Sequence, residues 1–182
     1  SLDPNLRPEL TYDRRIQARF AQLIDAADLL LPSGAELERA AGVEGESAAV
    51  QSLFQRGLKE IVLKRGAQGA TCFRSGKAPI NALAFDVQEV DPTGAGDCFG
   101  GAYVACRRMG WPLADVLTYA CAAGARNVTK YGPMEGAGTR FQLDAFIQTI
   151  RQLRSVSPYR LIHSACTDRG KQTLRSGALI YL

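Results

Sequence analysis

Short apolar segments of the chain alternate with longer segments in which apolar residues recur at helical spacing. Residues 60–64, EIVLK, are typical of a buried strand, whereas Ile16, Phe20 and Ile24 would share one face of a helix. On the same grounds, strands are predicted at 29–31, 60–64, 70–74 and 84–90, and helices at 13–28, 34–41, 47–56, 95–109, 113–129 and 142–153. This alternation predicts a layered α/β domain whose sheet is mostly parallel.

Composition places the chain among globular proteins. Of its 182 residues, 46% are hydrophobic and 22% are charged, which is too apolar for a disordered chain. No apolar run approaches the roughly 20 residues of a membrane-spanning helix. The N-terminus lacks the basic and apolar stretches of a signal peptide. We therefore expect a cytoplasmic protein without a membrane partner.

Most of the net charge of +4 lies near the C-terminus. Residues 155–182 contain four basic residues and one aspartate, a balance of +3 that leaves +1 for residues 1–154. A nucleic-acid surface is therefore not expected on the folded body. Because the segment also has weak periodicity, we predict that the domain ends near residue 154 and that residues 155–182 are disordered or foreign to the fold.

The cysteines are dispersed and form no recognisable framework. There are five of them, none in a CxxC pair, and the chain has one histidine. This pattern excludes the usual ligand spacing of zinc sites and argues against a disulfide scaffold. We expect most of these cysteines to be small buried side chains.

The segment 91–97, DPTGAGD, lies between a predicted strand and a predicted helix. Gly94 and Gly96 let backbone N–H groups approach a ligand, and the N-terminus of a helix attracts anions. Asp97 would repel a phosphate, which makes sense if its carboxylate takes a proton from an attacking hydroxyl. A helix-start aspartate also serves commonly as an N-cap or dipole partner, and the segment alone leaves both roles open. The spacing matches neither the GxGxxG dinucleotide fingerprint nor the phosphate loop GxxxxGK[ST].

Residues 91–99, DPTGAGDCF, match at every defined position the signature D-[TP]-x-G-A-G-D-x-F of the ribokinase/PfkB carbohydrate kinases. The resemblance extends over residues 1–153 and implies a ribokinase-like α/β/α fold without the N-terminal part and lid of those kinases. It implies that Asp97 is the catalytic base and contacts the substrate hydroxyl. The amides that resemble the family's anion hole are those of Gly94, Ala95, Gly96 and Asp97.

Two further segments resemble the family's ion sites. Residues 31–36, LPSGAE, resemble its N-x-x-E motif near magnesium, with Glu36 in place and Ser33 where asparagine is usual. Both side chains would reach Mg²⁺ through water. Asp91 and Thr93 stand where members bind a monovalent cation, which makes K⁺ an additional candidate. The alternative for Glu36 is a solvated carboxylate at a helix start.

Other segments resemble the family's binding sites for the nucleotide and the substrate. The implied ATP-binding residues are Lys64, Gly66, Gly69, Cys121, Gly124 and Gly132. Of these, residues 64–69 resemble the turn over the phosphates, and the others resemble the walls of the adenine pocket. The alternative for Lys64 is a surface lysine at a strand end. The alternative for the pocket walls is helix packing through small side chains. Residues 3–7, DPNLR, resemble a D-x-N-x-R segment whose arginine holds the substrate, which makes Arg7 a candidate.

The resemblance implies ATP-dependent phosphorylation of a hydroxyl on a sugar or sugar acid. Residues 32–34 and 132–136 are most similar to tagatose kinase-like and 2-keto-3-deoxygluconate kinase-like proteins, and a homodimer is one expectation for the full-length enzyme. The alternative is a truncated, inactive remnant with at most nucleotide binding. Residues 1–5 resemble the end of a strand, and the family's sugar-recognition residues would precede them. A dinucleotide oxidoreductase is disfavoured because the fingerprint is missing.

Overall fold

Apart from one strand, the elements follow one another in the order that the sequence periods predict. The structure is a computed structural model, and it describes residues 1–6 and 13–156. The helices are α1 Arg14–Asp25, α2 Glu36–Ala41, α3 Glu46–Gln55, α4 Ala95–Arg108, α5 Leu113–Val128 and α6 Arg140–Val156. The strands are β1 Leu29–Leu30, β2 Glu60–Lys64, β3 Ala70–Arg74 and β4 Ile80–Ala82. Arg7 and nearly all of the segment 155–182 lie outside the described residues.

The strands form one mixed sheet in the order β1-β2-β3-β4. Strand β1 runs parallel to β2, and Leu2 extends this side through a parallel bridge to Leu30. The pairs β2–β3 and β3–β4 are antiparallel. Parallel neighbours need a crossover of about a dozen residues or more. Helices α2 and α3 supply one between β1 and β2, whereas residues 65–69 and 75–79 are short turns. The predicted parallel pairing therefore occurs on the β1 side, and the other end of the sheet is antiparallel.

Each face of the sheet carries its own apolar core. Val62 and Cys72 face a cluster that includes Phe99 and Tyr103 of α4, Val116 and Leu117 of α5, and Leu143 of α6. Ile61 and Leu63 face the opposite cluster, which includes Ile24 of α1, Leu37 of α2 and Leu53 of α3. Successive strand residues point to opposite faces, so one sheet can support both layers. The α/β/α layering predicted for the fold is confirmed.

The strand predicted at 84–90 is wrong, because β4 ends at Ala82. Gly69 has φ +95°, and a Cβ added there would lie 2.7 Å from the amide nitrogen of Ala84. The backbone of residues 82–84 passes close to Gly69, and the chain then leaves the sheet. The alternation in the segment is nevertheless real, since Phe85 and Val87 are half-buried while Asp86 is exposed.

Helix α6 begins with the capping box that Thr139 and Gln142 predict. The backbone N–H of Thr139 donates to Gln142 Oε1 at 3.0 Å, and the backbone N–H of Gln142 donates to Thr139 Oγ1 at 3.4 Å. Leu143 and Ile147 then place the helix against the first core. Among the described residues, no helix is both long enough and apolar enough to cross a membrane.

Helix α4 is joined to the sheet by a partly buried polar network in its C-terminal half. The Tyr103 hydroxyl donates to Glu60 Oε1 at 2.8 Å, and the Arg107 guanidinium donates to both Glu60 oxygens at 3.2 and 3.1 Å. Burial raises the pKa of Tyr103, so its hydroxyl remains a donor. Residues four apart lie on one face of a helix, which lets both side chains meet Glu60 on β2. The network fixes the helix whose other end carries the glycine-rich loop.

Candidate functional site

Gly94 is the residue from which helix α4 starts. Its φ is +76°, a left-handed conformation that favours glycine. A Cβ at this position would lie 2.7 Å from the carbonyl carbon of Pro133, so the loop around residues 132–136 leaves no room for a side chain. The helical hydrogen bonds begin with the N–H of Cys98, which donates to Gly94 O at 2.9 Å.

The amides before Cys98 have no acceptor within the helix. The N–H of Ala95 donates to Pro92 O at 3.3 Å, which engages one of the four amides predicted for the anion hole. The N–H groups of Gly96 and Asp97 are the next two at this helix end. Together with the helix dipole they make the start of α4 suitable for an anion.

Asp91 joins the glycine-rich loop to the loop at Gly132. Its Oδ1 accepts the N–H of Thr93 at 2.9 Å, and its Oδ2 accepts the N–H of Gly132 at 2.9 Å. The Thr93 hydroxyl, followed by these two amides, lowers the pKa of the Asp91 carboxyl. Gly132 was predicted to contact ATP. In the structure, its N–H group is bonded to Asp91 and holds the two loops together.

Asn127 on α5 connects the same two loops from inside the protein. Its side chain is fully buried, and Nδ2 donates to Thr93 O at 2.8 Å and to Pro133 O at 3.2 Å. The other end of the amide, Oδ1, has no protein partner among the described residues. Asn127 and Asp91 thus hold the backbone on both sides of Gly94.

Asp97 lies in the first turn of α4 with its side chain exposed to solvent. The adjacent Gly96 borders a cavity, whereas Asp97 is not among the residues that line it. The carboxylate therefore faces out beside the cavity rather than into the protein core. A group held on the outer side of the helix start could approach it directly.

Lys64 brings a positive charge to the same place. Its Nζ donates to Asp3 Oδ2 at 2.5 Å, and the lysine side chain is 11% exposed. A Cβ on Gly96 would lie 3.3 Å from this Nζ, so the ammonium sits directly over the start of α4. A cation beside the positive end of a helix is unfavourable without a counter-charge, and Asp3 supplies one.

A cavity of about 520 Å³ opens between these elements. Residues predicted for ATP or metal that line it are Ser33, Lys64, Gly66, Gly69, Cys121 and Gly124. Gly124 also permits close packing, because a Cβ there would lie 3.2 Å from the carbonyl oxygen of Ala95. Five of the six predicted ATP-binding residues thus surround one space, and Gly132 lies outside it.

Ser33 and Glu36 meet at the start of α2. Glu36 Oε2 accepts the backbone N–H of Ser33 at 2.6 Å, and the N–H of Glu36 donates to Ser33 O at 2.9 Å. Ser33 lines the cavity, and Glu36 is not among the lining residues. Within residues 1–6 and 13–156, no group of three or more histidine, cysteine or acidic residues could hold a metal ion. One carboxylate and one hydroxyl fit the outer shell of a magnesium ion whose own ligands are water and phosphate oxygens.

A sequence profile of the family described as pfkB family carbohydrate kinase matches residues 1–140. The chain belongs to the PfkB family of carbohydrate kinases.

Individual members of the PfkB family support the same assignment. A ribokinase from Haemophilus influenzae is 32% identical over 132 residues, which are 70% of this chain and 43% of that protein. A candidate ribokinase II from E. coli, solved with ATP and Mg²⁺, is 37% identical and has a TM-score of 0.79, over 82% of this chain and 48% of that chain. A Vibrio cholerae fructokinase double mutant, solved with fructose, ADP and potassium, is 26% identical with a TM-score of 0.71, over 79% and 48% of the chains.

The PfkB-family chain spans about half or less of these relatives. The covered share of the curated proteins ranges from 29% for an Arabidopsis thaliana ribokinase to 50% for a Vibrio alginolyticus fructokinase. The ribokinase-like fold is confirmed by the solved structures.

Several site residues of this PfkB-family chain were not predicted. Asp3 was noted as part of a motif, but its pairing with Lys64 spans 61 positions and has no local signal. Phe85 and Val87 line the cavity, and their alternation was assigned to a strand. Asn127 occupies a buried position on α5, where a polar residue within an apolar helix face was the available signal.

Proposed function

We propose that this chain forms the nucleotide-binding part of an ATP-dependent carbohydrate kinase, which phosphorylates a hydroxyl group of a sugar or sugar acid. The observation that carries the proposal is the arrangement at the start of α4. The exposed Asp97 carboxylate adjoins the Gly96 amide, which borders the cavity beneath the Lys64 ammonium. A phosphoryl group at this point would have the nucleotide on one side and a proton acceptor on the other.

The chemistry follows from these positions. A substrate hydroxyl on the outer side of α4 attacks the γ-phosphorus of ATP, and the bond from that phosphorus to the oxygen of the departing ADP breaks. Asp97 takes the proton of the hydroxyl as the new bond forms. The amides of Gly96 and Asp97 and the Lys64 ammonium stabilise negative charge on the transferring group, since they are already in place before the reaction.

Magnesium would be held through water by Glu36 and Ser33, where it would neutralise charge on the ATP phosphates. The E. coli relative solved with ATP and Mg²⁺ supports both cofactors for this chain. A potassium ion beside Asp91 and Thr93 stays a prediction, as do substrate binding by Arg7, a homodimer of the longer enzyme and a cytoplasmic location. The ribokinase and fructokinase relatives suggest a sugar as the acceptor.

The second candidate function is nucleotide binding without phosphoryl transfer. It is favoured by the coverage of at most 50% of the length of these curated relatives, because the acceptor sugar needs a binding surface of its own. This chain would then keep the cavity and the anion site and lack turnover.

A titration of the chain with ATP and Mg²⁺, followed by an assay of ADP release over a panel of sugars and sugar acids, distinguishes the two. If transfer occurs, Asp97→Asn is expected to lower kcat by about 10²- to 10⁴-fold with little change in the ATP dissociation constant. Asp115→Asn is the matched control, because Asp115 is an exposed aspartate in the first turn of α5. Near-normal turnover of Asp97→Asn would show that Asp97 is not the base. ATP binding without transfer by the unsubstituted chain would favour the second function.

A further inference from the structure

Backbone oxygens from two loops converge beside Gly94. The carbonyls of Thr93 and Pro133 accept hydrogen bonds from one nitrogen, Nδ2 of Asn127, at 2.8 and 3.2 Å. The Asp91 carboxylate joins the same two loops through their backbone N–H groups. Oxygens that converge in this way repel one another unless positive charge or N–H donors lie between them. Either a bound cation or a donor from the protein meets that need.

The oxygens predicted to bind a monovalent cation already have donors within the chain. Oδ1 and Oδ2 of Asp91 accept the N–H groups of Thr93 and Gly132, each at 2.9 Å. The Thr93 carbonyl accepts the Asn127 amide at 2.8 Å. A carbonyl oxygen has two lone pairs, so this contact alone leaves room for a second partner. However, a cation bound to both carbonyls would lie beside or in place of the Asn127 Nδ2 hydrogens, which carry partial positive charge.

The depth of Asn127 favours a neutral donor over an ion. Its side chain is fully buried. A cation held there would give up its hydration shell, which takes a ring of oxygens to replace, whereas an amide gives up far less. One oxygen is left over, because Asn127 Oδ1 has no protein partner among the described residues. A single oxygen does not replace a hydration shell, so the residues present fit the amide and do not fit a monovalent cation.

We propose that the side-chain amide of Asn127 takes the place of a monovalent cation, so that the glycine-rich loop is held and the nucleotide is bound without potassium. Asn127 is then a positioning residue that acts through the backbone of Thr93 and Pro133. The Pro133 carbonyl in turn lies against Gly94, from which α4 starts. The inference rests on the proposed function where it concerns the nucleotide, whereas its consequences for stability are independent of that function.

Thermal unfolding of the full chain in KCl and in choline chloride, both at about 100 mM, tests the inference at equal ionic strength. Choline is too bulky to fit between two backbone carbonyls. The unsubstituted chain is expected to have the same melting temperature in both salts within about 1 °C, and ATP dissociation constants, measured with Mg²⁺, within about 2-fold. A melting temperature about 3 °C or more higher in KCl, or ATP binding more than about 5-fold tighter there, would overturn the inference. Failure to bind ATP in either salt would contradict the proposed function and leave the melting comparison intact.

Two substitutions of Asn127 turn the comparison into a rescue experiment. Asn127→Ala removes the donor and opens the space between the two carbonyls. It is expected to melt about 5 °C lower than the unsubstituted chain in choline chloride and to regain about half of that loss in KCl, where a cation can satisfy the freed oxygens. Asn127→Asp, which keeps the size of the side chain but has no donor, should show the larger rescue. Equal losses in both salts for both variants, or failure to fold in either salt, would overturn the inference.

Tyr103→Phe is the matched control for destabilisation by itself. It also removes a buried side-chain donor, in this case from Glu60 and in the other half of α4. Because Arg107 still pairs with the Glu60 carboxylate, its melting temperature is expected to fall by the same amount in both salts. A rescue of Tyr103→Phe by KCl as large as that of Asn127→Ala would show that potassium stabilises any weakened variant, which would contradict a specific exchange between amide and cation.

Discussion

The two ends of helix α4 are built in opposite ways. At its C-terminal half, Tyr103 and Arg107 saturate the Glu60 carboxylate, and apolar residues fill the remaining space. At its N-terminus, glycines replace side chains, amides of the first turn lack helical acceptors, and Asp97 is exposed. The polar groups at the C-terminal half are paired within the protein, whereas those at the N-terminus are available to a ligand.

This difference shows how a site with unsatisfied groups can be held in place. Donors aimed at a developing charge are effective when they do not have to reorganise, and that requires support from the residues behind them. In this chain the support comes from the far end of the same helix and from Asp91 and Asn127, which hold the loops flanking Gly94.

Substitution at the N-terminus of α4 is expected to have the largest effect. Gly94→Ala places a Cβ against the Pro133 carbonyl and forces a non-glycine residue into the left-handed region. We expect a loss of about 3 kcal/mol in unfolding free energy and a loss of nucleotide binding. Urea unfolding followed by the fluorescence of Trp111, the single tryptophan, measures the first effect.

Gly101→Ala is the matched control on the same helix. Gly101 is exposed, and nothing lies within 4 Å of a Cβ added there. Because alanine is the better helix former, this variant should gain about 0.5–1 kcal/mol. If Gly94→Ala were as stable as the unsubstituted chain, the close approach of the two loops would not constrain the helix start.

Substitution at the C-terminal half of α4, where Glu60 is paired, is expected to have an intermediate effect. Glu60→Gln removes the charge that Arg107 faces and is expected to cost about 2 kcal/mol. This is less than the roughly 3–5 kcal/mol for breaking a fully buried pair, because the Arg107 side chain is 38% exposed. Tyr103→Phe, which leaves the ion pair in place, should cost about 1 kcal/mol.

The same two variants test whether the anchor supports the site. If α4 transmits the loss of the network to its N-terminus, Glu60→Gln should also weaken ATP binding in an equilibrium titration, and Tyr103→Phe should do so less. Unchanged ATP affinity in a folded Glu60→Gln variant would show that the two ends are independent.

The smallest effect is expected from the pH dependence of the loop contacts. The pKa of Asp91 is lowered from its usual 3.8 in the folded state. A lowered carboxyl pKa contributes stability that is fully present above the unfolded pKa and is lost as pH falls through the folded one. The stability difference between the unsubstituted chain and Asp91→Asn should therefore shrink on acidification below about pH 4. Asp86→Asn serves as the control, because Asp86 is an exposed carboxylate outside this contact. A stability difference for Asp91→Asn that stays constant with pH would contradict the lowered pKa of Asp91.

The sequence predicted much of this architecture from local patterns. Strands β2 and β3 were predicted with their observed bounds, and the capping box of α6 with its two partners. The strand at 84–90 was wrong because alternation shows that one side of a segment is buried, and not whether a sheet or a cavity buries it. The antiparallel end of the sheet follows from the short turns at 65–69 and 75–79, which the mostly parallel prediction did not use.

What the sequence determined by itself depends on neighbours within a few positions: helix and strand periods, the glycine-rich turn before α4, and the family to which that turn belongs. The tertiary structure decided which distant groups meet. The Lys64 ammonium is placed over Gly96 by Asp3, the two loops around Gly94 are held by Asn127, and Phe85 faces a cavity. The physical reason is that these contacts arise when the helix layers pack on the sheet, and a contact across 61 residues leaves no mark in any local pattern.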